Sequence, residues 1–261
     1  MSKTILITGA GSGFGKIVAF ELARRGHRVI ATTQIWPQVT ELRNEAREKD
    51  LSLEIDKLDV TDPRDRTSAA RWDVDVLVSN AGTMEAGPIA ELPLDLLRSM
   101  FEVNFFGSVA LAQLFAPKMV AKRSGKMVFS SSLAGLLTVP YSAGYSATKH
   151  ALEAFAEGLK TELSPFGIQI ATVNPGFYAT GFNDRGVDAA SHWFDPKKNF
   201  TPMEAFSSAA KVLSQQLDPQ LMANTIVDVV LAEKPRFRNV LPKETEDLIK
   251  QVQRDTWEAK A

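Results

Sequence analysis

The chain has 261 residues, 44% hydrophobic and 23% charged, which is enough apolar material for one large domain with a buried core and excludes an intrinsically disordered protein. With 30 lysines and arginines against 31 aspartates and glutamates, the formal charge is −1, so neither nucleic acid nor an anionic membrane is an electrostatically favoured partner. The lack of cysteine excludes disulfides and thiolate metal sites and agrees with a reducing compartment.

Thr4 to Thr8 reads as a buried strand, and Gly9, Gly11, Gly13 and Gly15 follow before an apolar helix ending near Gly26. Glycines in such a turn let backbone N–H groups approach a pyrophosphate, and the helix N-terminus adds partial positive charge. The spacing is T-G-x-x-x-G-x-G. Turns of this kind also serve flavin, nucleotide and S-adenosylmethionine binders, or simply reverse the chain. The leading apolar run is too short for a signal peptide, and no segment is expected to reach the length of a membrane span, which predicts a soluble cytoplasmic protein.

Arg28 to Thr33 is the second strand, and Trp36-Pro37 opens a polar helix reaching Lys49, with proline in its tolerated first turn. Leu51, Leu53 and Ile55 alternate as a third strand does. Asp59-Val60-Thr61 ends that unit, and Asp62-Pro63 starts a short helix. Val74 to Val78 is a fourth strand ending in Asn80-Ala81-Gly82, which on its own reads as a plain turn. From Leu94 to Ala121 the pattern is helical, with Asn104 inside it. Asparagine forms helices poorly, so it is exposed, bonded to backbone, or kept there for a purpose.

Lys126 to Ser130 is a short interior strand, and the serines at 130 to 132 mark where the chain leaves the sheet. After a loop containing Pro140, a helix is expected from Tyr145 to Leu163, because Ala147, Ala151, Ala154, Phe155 and Leu159 recur at helical spacing and Pro165 and Gly167 stop it. Tyr145 and Lys149 are four apart and share a face. A free phenol titrates at about pH 10, and a nearby ammonium favours the phenolate, bringing the group into range for proton transfer. Ser132 can hydrogen-bond the same substrate oxygen. Taken alone, the tyrosine–lysine pair reads equally as an ordinary amphipathic helix pair.

Ile168 to Val173 is a strand ending at Asn174-Pro175-Gly176, where open α/β sheets bind ligands. Residues 177–217 break the rhythm with Phe177, Tyr178, Phe182, His192, Trp193, Phe194, Phe200, Met203 and Phe206, suggesting an irregular excursion over the sheet. A helix over Leu221 to Leu231, a last strand over Phe237 to Leu241 and a closing helix from Glu244 to Trp257 complete the chain. No repeat or linker interrupts it, so residues 1–261 form one domain, an α/β doubly wound parallel sheet with flanking helices. The three histidines, His27, His150 and His192, lack metal-ligand spacing, and no metal site is expected.

Taken in order, these features resemble the short-chain dehydrogenase/reductase (SDR) family over nearly the whole chain. Thr8-Gly9-Ala10-Gly11-Ser12-Gly13-Phe14-Gly15 is similar to the family's TGxxxGxG turn, Asp59-Val60 to its adenine-contacting pair, and Asn80-Ala81-Gly82 to its NAG motif. Val103-Asn104-Phe105-Phe106-Gly107 is similar to the helix bearing the catalytic asparagine; Ser132, Tyr145 and Lys149 to the serine and YxxxK; and Pro175-Gly176 with Thr180 to PGxxxT.

The resemblance implies a single-domain Rossmann fold and an NAD(P)-dependent oxidoreductase interconverting a ketone and a secondary alcohol. It makes Tyr145 the general acid/base, Ser132 the holder of the substrate oxygen, and Lys149 the group that lowers the tyrosine pKa and binds the nicotinamide ribose. Asn104 would anchor a water of the proton relay. Thr33 and Gln34 carry neither the acid expected for NAD nor the arginine common for NADP, and Ser12 replaces a basic residue some members carry. NADP is therefore expected to be weakly preferred, through neutral hydrogen bonds from Thr33, Gln34 and Ser12, with NAD also accepted. The short helix between Asp62 and Asp73 is similar to the steroid-dehydrogenase-like branch without fixing a substrate. Tyr141 reads as a pocket wall and the excursion at 177–217 as a lid for a bulky apolar carbonyl or alcohol. The long helices around Phe101 to Leu114 and Tyr145 are expected to form a homodimer or homotetramer. The alternative is a catalytically silent nucleotide-sensing or interaction protein on the same fold.

Overall fold

The computed structural model describes residues 2–211 and 215–260. Seven parallel strands form one sheet in the order β3-β2-β1-β4-β5-β6-β7, from β1 (Thr4–Ile7), β2 (Arg28–Thr33), β3 (Glu54–Lys57), β4 (Val76–Ser79), β5 (Gly125–Ser130), β6 (Ile168–Pro175) and β7 (Arg238–Leu241). Between them run α1 (Gly13–Arg24), α2 (Trp36–Glu48), α3 (Pro63–Ala69), α4 (Leu94–Phe101), α5 (Gly107–Lys122), α6 (Ala143–Leu163), α7 (Phe182–Asp188), α8 (Met203–Ala210) and α9 (Pro219–Leu231); α10 (Lys243–Glu258) follows β7.

Strand side chains alternate between two cores, as a sheet covered on both faces requires. Ile5 and Ile7 join Val18 and Leu22 of α1 and Ile226 and Val230 of α9, whereas Leu6 faces the opposite core with Leu111, Phe115 and Leu152 of α5 and α6. Each fully buried side chain of this size contributes about 1.5–3 kcal/mol. β1 pairs with both β2 and β4, so the strand order reverses beside it and opens a crevice at the strand C-termini.

Three sequence expectations are corrected. The alternation of Leu51, Leu53 and Ile55 does not mark the strand: pairing with β2 begins at Ile30 opposite Glu54, and Leu51 and Leu53 pack against the core of Ile5 and Ile7 on the way in. The helix expected over Leu94 to Ala121 is interrupted by one wide turn, Glu102–Phe106, in which the Gly107 N–H bonds to the Glu102 carbonyl. Such turns recur at functional sites. Thirdly, the 29-residue run Leu94–Lys122 is long and apolar enough by length and composition to span a bilayer, against the expectation that none would be. Here it packs against β4, β5 and α6, burying Met100, Leu111, Phe115 and Met119.

The excursion at 177–217 is described except for residues 212–214, which lie outside the described residues. It contains α7, a short turn at Ala189–His192 and α8. Its aromatics partly form its own core, with Phe194 stacked on Phe206 at 6.4 Å, while Phe200 is 77% exposed. The loop after β4 holds it from beneath: Ala86 N–H donates to the Gly186 carbonyl at 2.9 Å, and a Cβ at Gly87 would stand only 2.3 Å from Trp193.

Candidate active site

One cleft runs along the C-terminal ends of the strands, and most of the residues expected from the sequence line it. Its floor is the glycine turn. Gly9 and Gly13 have φ of +67° and +53°, a region that favours glycine, and a Cβ at Gly15 would fall 2.4 Å from the Gly9 carbonyl oxygen. The first turn of α1 holds no acidic residue and Ser12 does not cap it, so its N–H groups suit an anion. Ser12, Gly13 and Phe14 form one wall, and Thr180 closes over Gly13, its Cβ 3.3 Å from where a Gly13 Cβ would be. Pro175 and Gly176 complete that side.

Asn80-Ala81-Gly82 is a splice between strands. The Asn80 and Ala81 N–H groups donate to the Thr8 hydroxyl at 2.9 and 3.0 Å, Asn80 Nδ2 donates to the Thr8 carbonyl at 3.0 Å, and the Ser130 hydroxyl donates to Asn80 Oδ1 at 3.1 Å. Ends of β1, β4 and β5 are thereby fixed relative to one another, and Gly82 is left lining the cleft.

At the other end, Gln34, Gln38, Asp59, Val60 and Gly11 surround a polar hollow. Asp59 accepts from the Thr61 N–H and hydroxyl at 2.9 and 2.7 Å and from Gln34 Nε2 at 3.3 Å. Partial burial pushes its carboxyl up, but these bonds and nearby Lys57 outweigh that and hold it below the usual range. No lysine or arginine lines this hollow among the described residues. Thr33 is a correction: it is fully buried and its hydroxyl donates to the Ile35 carbonyl at 3.3 Å, because β2 points it into the protein rather than into the cleft. Gln38, one turn beyond Gln34, occupies that space instead and accepts the Gln34 N–H at 3.2 Å.

The wall opposite the glycine turn carries Ser132, Tyr145 and Lys149. Tyr145 is 8% exposed and the Ser132 hydroxyl stands beside its phenol. Lys149 Nζ donates to the Ser130 carbonyl at 2.7 Å and lies 5.6 Å from the centroid of the Tyr145 ring. This corrects the expected electrostatics. Burial pushes the phenol above its ordinary range, and Ser132 is the group pulling it back, since the ammonium sits over the ring and on a carbonyl rather than on the phenol oxygen. Burial lowers Lys149 itself to about 8, with the charge of Glu153 raising it.

Asn104 is bonded to backbone. Its Oδ1 accepts the Thr83 N–H at 2.8 Å, and its Nδ2 donates to the Thr83 carbonyl and the Thr148 hydroxyl at 2.9 and 3.0 Å. These bonds fix the segment at Thr83 beside α6.

An apolar wall of Met84, Leu92, Leu97, Val139 and Phe182 packs around Tyr145, Met100 and Ala134, with the Phe182 ring 5.8 Å from that of Tyr145. Tyr141 holds a left-handed backbone at φ +57° and lines a small apolar cavity next to this wall. Among the cleft residues that the sequence reading missed, Gln38 had a signal in lying in the first turn of the helix that follows β2. Tyr178, Asn183 and Arg185 had none beyond lying in the excursion. Among the described residues no group of three His, Cys, Asp or Glu is placed to hold a metal ion.

The family described as short chain dehydrogenase matches residues 3–190. An uncharacterized oxidoreductase, YusZ, of Bacillus subtilis is 35% identical over 91% of this chain and 87% of its own length. The 3-ketodihydrosphingosine reductase of Bacteroides thetaiotaomicron is 32% identical over 90% and 86%. A solved short-chain dehydrogenase from Streptomyces avermitilis superposes with a TM-score of 0.83 at 30% identity, covering 99% of this chain and 95% of that one.

Proposed function

This chain belongs to the short-chain dehydrogenase/reductase family of oxidoreductases, and from that premise we propose that it interconverts a ketone and a secondary alcohol of bulky, apolar character using NAD(P). The observation that carries the reading is the meeting of Ser132 and Tyr145 with an apolar wall on one side and the glycine-turn cleft on the other. A dinucleotide fits the residues present: glycines without room for side chains and an uncapped, acid-free helix N-terminus for its pyrophosphate, and Asp59, Gln34 and Gln38 for its adenosine half. When bound, the nicotinamide supplies or accepts the hydride.

The protein's own groups handle the oxygen and its proton. Ser132 donates a hydrogen bond to the substrate oxygen and Tyr145 gives or takes its proton. Burial pushes the phenol above its ordinary range, so the acid form that carbonyl reduction needs is present at neutral pH. Lys149, on the same cleft wall, would hold the hydroxyl groups of the ribose. Met84, Leu97, Val139 and Phe182 exclude water and favour an apolar substrate; the similarity to a 3-ketodihydrosphingosine reductase agrees with that class.

For the cofactor, the weak NADP preference expected from the sequence loses one of its supports, because Thr33 faces inward. A 2′-phosphate would meet the amides of Gln34 and Gln38 beside the ionised Asp59, with no cation in the hollow. We infer that NAD is accepted at least as well as NADP. Near-ultraviolet absorbance of NADH and NADPH, followed over a panel of bulky and small ketones, tests the whole reading. Wild-type turnover by Tyr145→Phe would refute the acid/base assignment, and absence of hydride transfer across the panel would favour a silent nucleotide sensor.

A further inference from the structure

Glu153 is a buried carboxylate that the proton transfer does not use. It stands one helical turn beyond Lys149 on α6 and is 4% exposed. Burying a carboxylate is costly unless it is paired and hydrogen-bonded, so its partners say what it serves. One oxygen accepts from Asn174 Nδ2 at 2.6 Å and the other from Arg238 Nε at 2.9 Å. Asn174, fully buried, also donates to the Ser132 carbonyl at 3.2 Å and accepts the Thr172 hydroxyl at 3.0 Å. Arg238 reaches on to Glu157 of the same helix at 3.0 Å. A Cβ at Gly135 would lie 3.1 Å from Glu153 Cγ, so the loop that carries Ser132 rests directly on this side chain. Glu153 thus touches the serine loop, the helix of Tyr145 and Lys149, β6 and β7, but not the cleft.

We propose that Glu153, clamped by Arg238, is a positioning residue that holds the Ser132 segment against α6 through Asn174, so that serine and tyrosine converge on one substrate oxygen. Its charge has a second effect on Lys149, whose pKa burial lowers to about 8 and Glu153 raises. Tyr145 and Glu153 are the titratable side chains facing Lys149 from α6. The loop after β4, the wide turn and β5 present Gly82, Asn104 and the Ser130 carbonyl to that region, none of which titrates. The consequence for turnover rests on the oxidoreductase reading; the consequence for binding does not need it.

Two variants separate charge from shape. Glu153→Gln keeps the side-chain volume and an acceptor for Asn174, while Arg238→Gln removes the counter-ion from the partly exposed end of the network. NADH or NADPH binding, followed by quenching of intrinsic fluorescence between about pH 6.5 and 9.5, reports the protonation of Lys149. In Glu153→Gln the alkaline loss of affinity should move down by about half a pH unit or more, and in Arg238→Gln it should move up, because the carboxylate then acts on Lys149 unshared. At about pH 6.5, where the lysine is charged throughout, Glu153→Gln should bind within about threefold of the wild type while kcat falls on the order of tenfold, the scale of one charged hydrogen bond.

A purely structural role predicts lower melting temperatures with the alkaline limbs unmoved. Superimposable titrations of the three proteins, or an unchanged kcat in Glu153→Gln, would overturn the proposal. If Glu153→Gln does not fold, Arg238→Gln decides alone: a limb that fails to rise overturns it. A wild type that binds dinucleotide but turns over no ketone or alcohol refutes the oxidoreductase reading and leaves the binding titration to decide this one.

Discussion

The Glu91 carboxylate accepts the backbone N–H groups of Phe200 and Thr201 at 2.7 and 3.1 Å, so the loop after β4 grips the 177–217 excursion by its middle. Asn199 Nδ2 adds a third donor at 2.9 Å. Desolvation pushes the Glu91 carboxyl up, but the donors from Thr201, Asn199 and Phe200 prevail and hold it below the usual carboxylate range. A carboxylate whose folded pKa is depressed stabilises above its unfolded pKa and ceases to do so as pH falls through the folded one. The grip should therefore be complete at neutral pH and be lost only as the pH falls below the usual carboxylate range. Glu91→Ala should speed amide exchange at Phe200 and Thr201 at neutral pH without changing exchange in β4 or β5, read by hydrogen–deuterium exchange. Equal protection in both proteins would show that the lid is held elsewhere.

Tyr145→Phe should lower kcat by about 10²–10⁴-fold, the usual contribution of a positioned acid or base. Because the phenol is raised above its ordinary range, the acid form persists through neutral pH. Reduction should consequently stay flat across neutrality and oxidation should climb with pH over the same interval, in initial rates measured in both directions. An oxidation rate that plateaus below pH 8 would place the working pKa on another group.

Gln34→Arg should favour NADPH by about tenfold, since a charge-assisted bond replaces a neutral one. NADH turnover should change by no more than about threefold, because the guanidinium can donate to Asp59 in place of the Gln34 amide. Paired KM measurements decide the matter. A wild type that already prefers NADPH strongly would mean that a cation from outside the hollow reaches the 2′ position.

Arg185 reaches the cleft from α7 beside Gly13 and Thr180, and its guanidinium lies close to Gly181. It is placed to meet the pyrophosphate from the lid side. Arg185→Gln should weaken ADP-ribose binding on the order of tenfold and leave AMP affinity unchanged, by isothermal titration calorimetry. Weakening of both alike would place the arginine nearer the adenosine half.

What the sequence disclosed follows from which signals are local. β2 appears at its expected bounds, Arg28–Thr33, because a continuous apolar run between turns has few alternatives. β3 was displaced because side-chain alternation in Leu51–Ile55 says nothing about where β2 offers partners, and that begins only at Ile30. The wide turn at Glu102–Phe106 was hidden because apolar residues are so dense around it, at Met100, Phe101, Val103, Phe105 and Phe106, that a one-residue shift of the stripe does not show. Ser132, Tyr145, Lys149 and the glycine turn come together as their spacing suggested, being carried on contiguous motifs. Thr33 misled because the last residue of a strand can face either layer, and Arg185 and Glu153 stayed silent because their meaning comes from partners far along the chain.

Gly87 sets a depth. Its φ of +146° suits glycine, and the space that any side chain there would fill belongs to the Trp193 indole. Beside the bonds of Ala86 and Glu91, a missing methyl group thus sets how closely the loop after β4 approaches residues 177–217. A graded series at residue 87, from alanine through serine to valine, would work as a set of shims, each lifting the indole further from the loop. The clearance between that loop and the segment above it becomes in that way an adjustable dimension of this fold, separable from the chemistry at its floor.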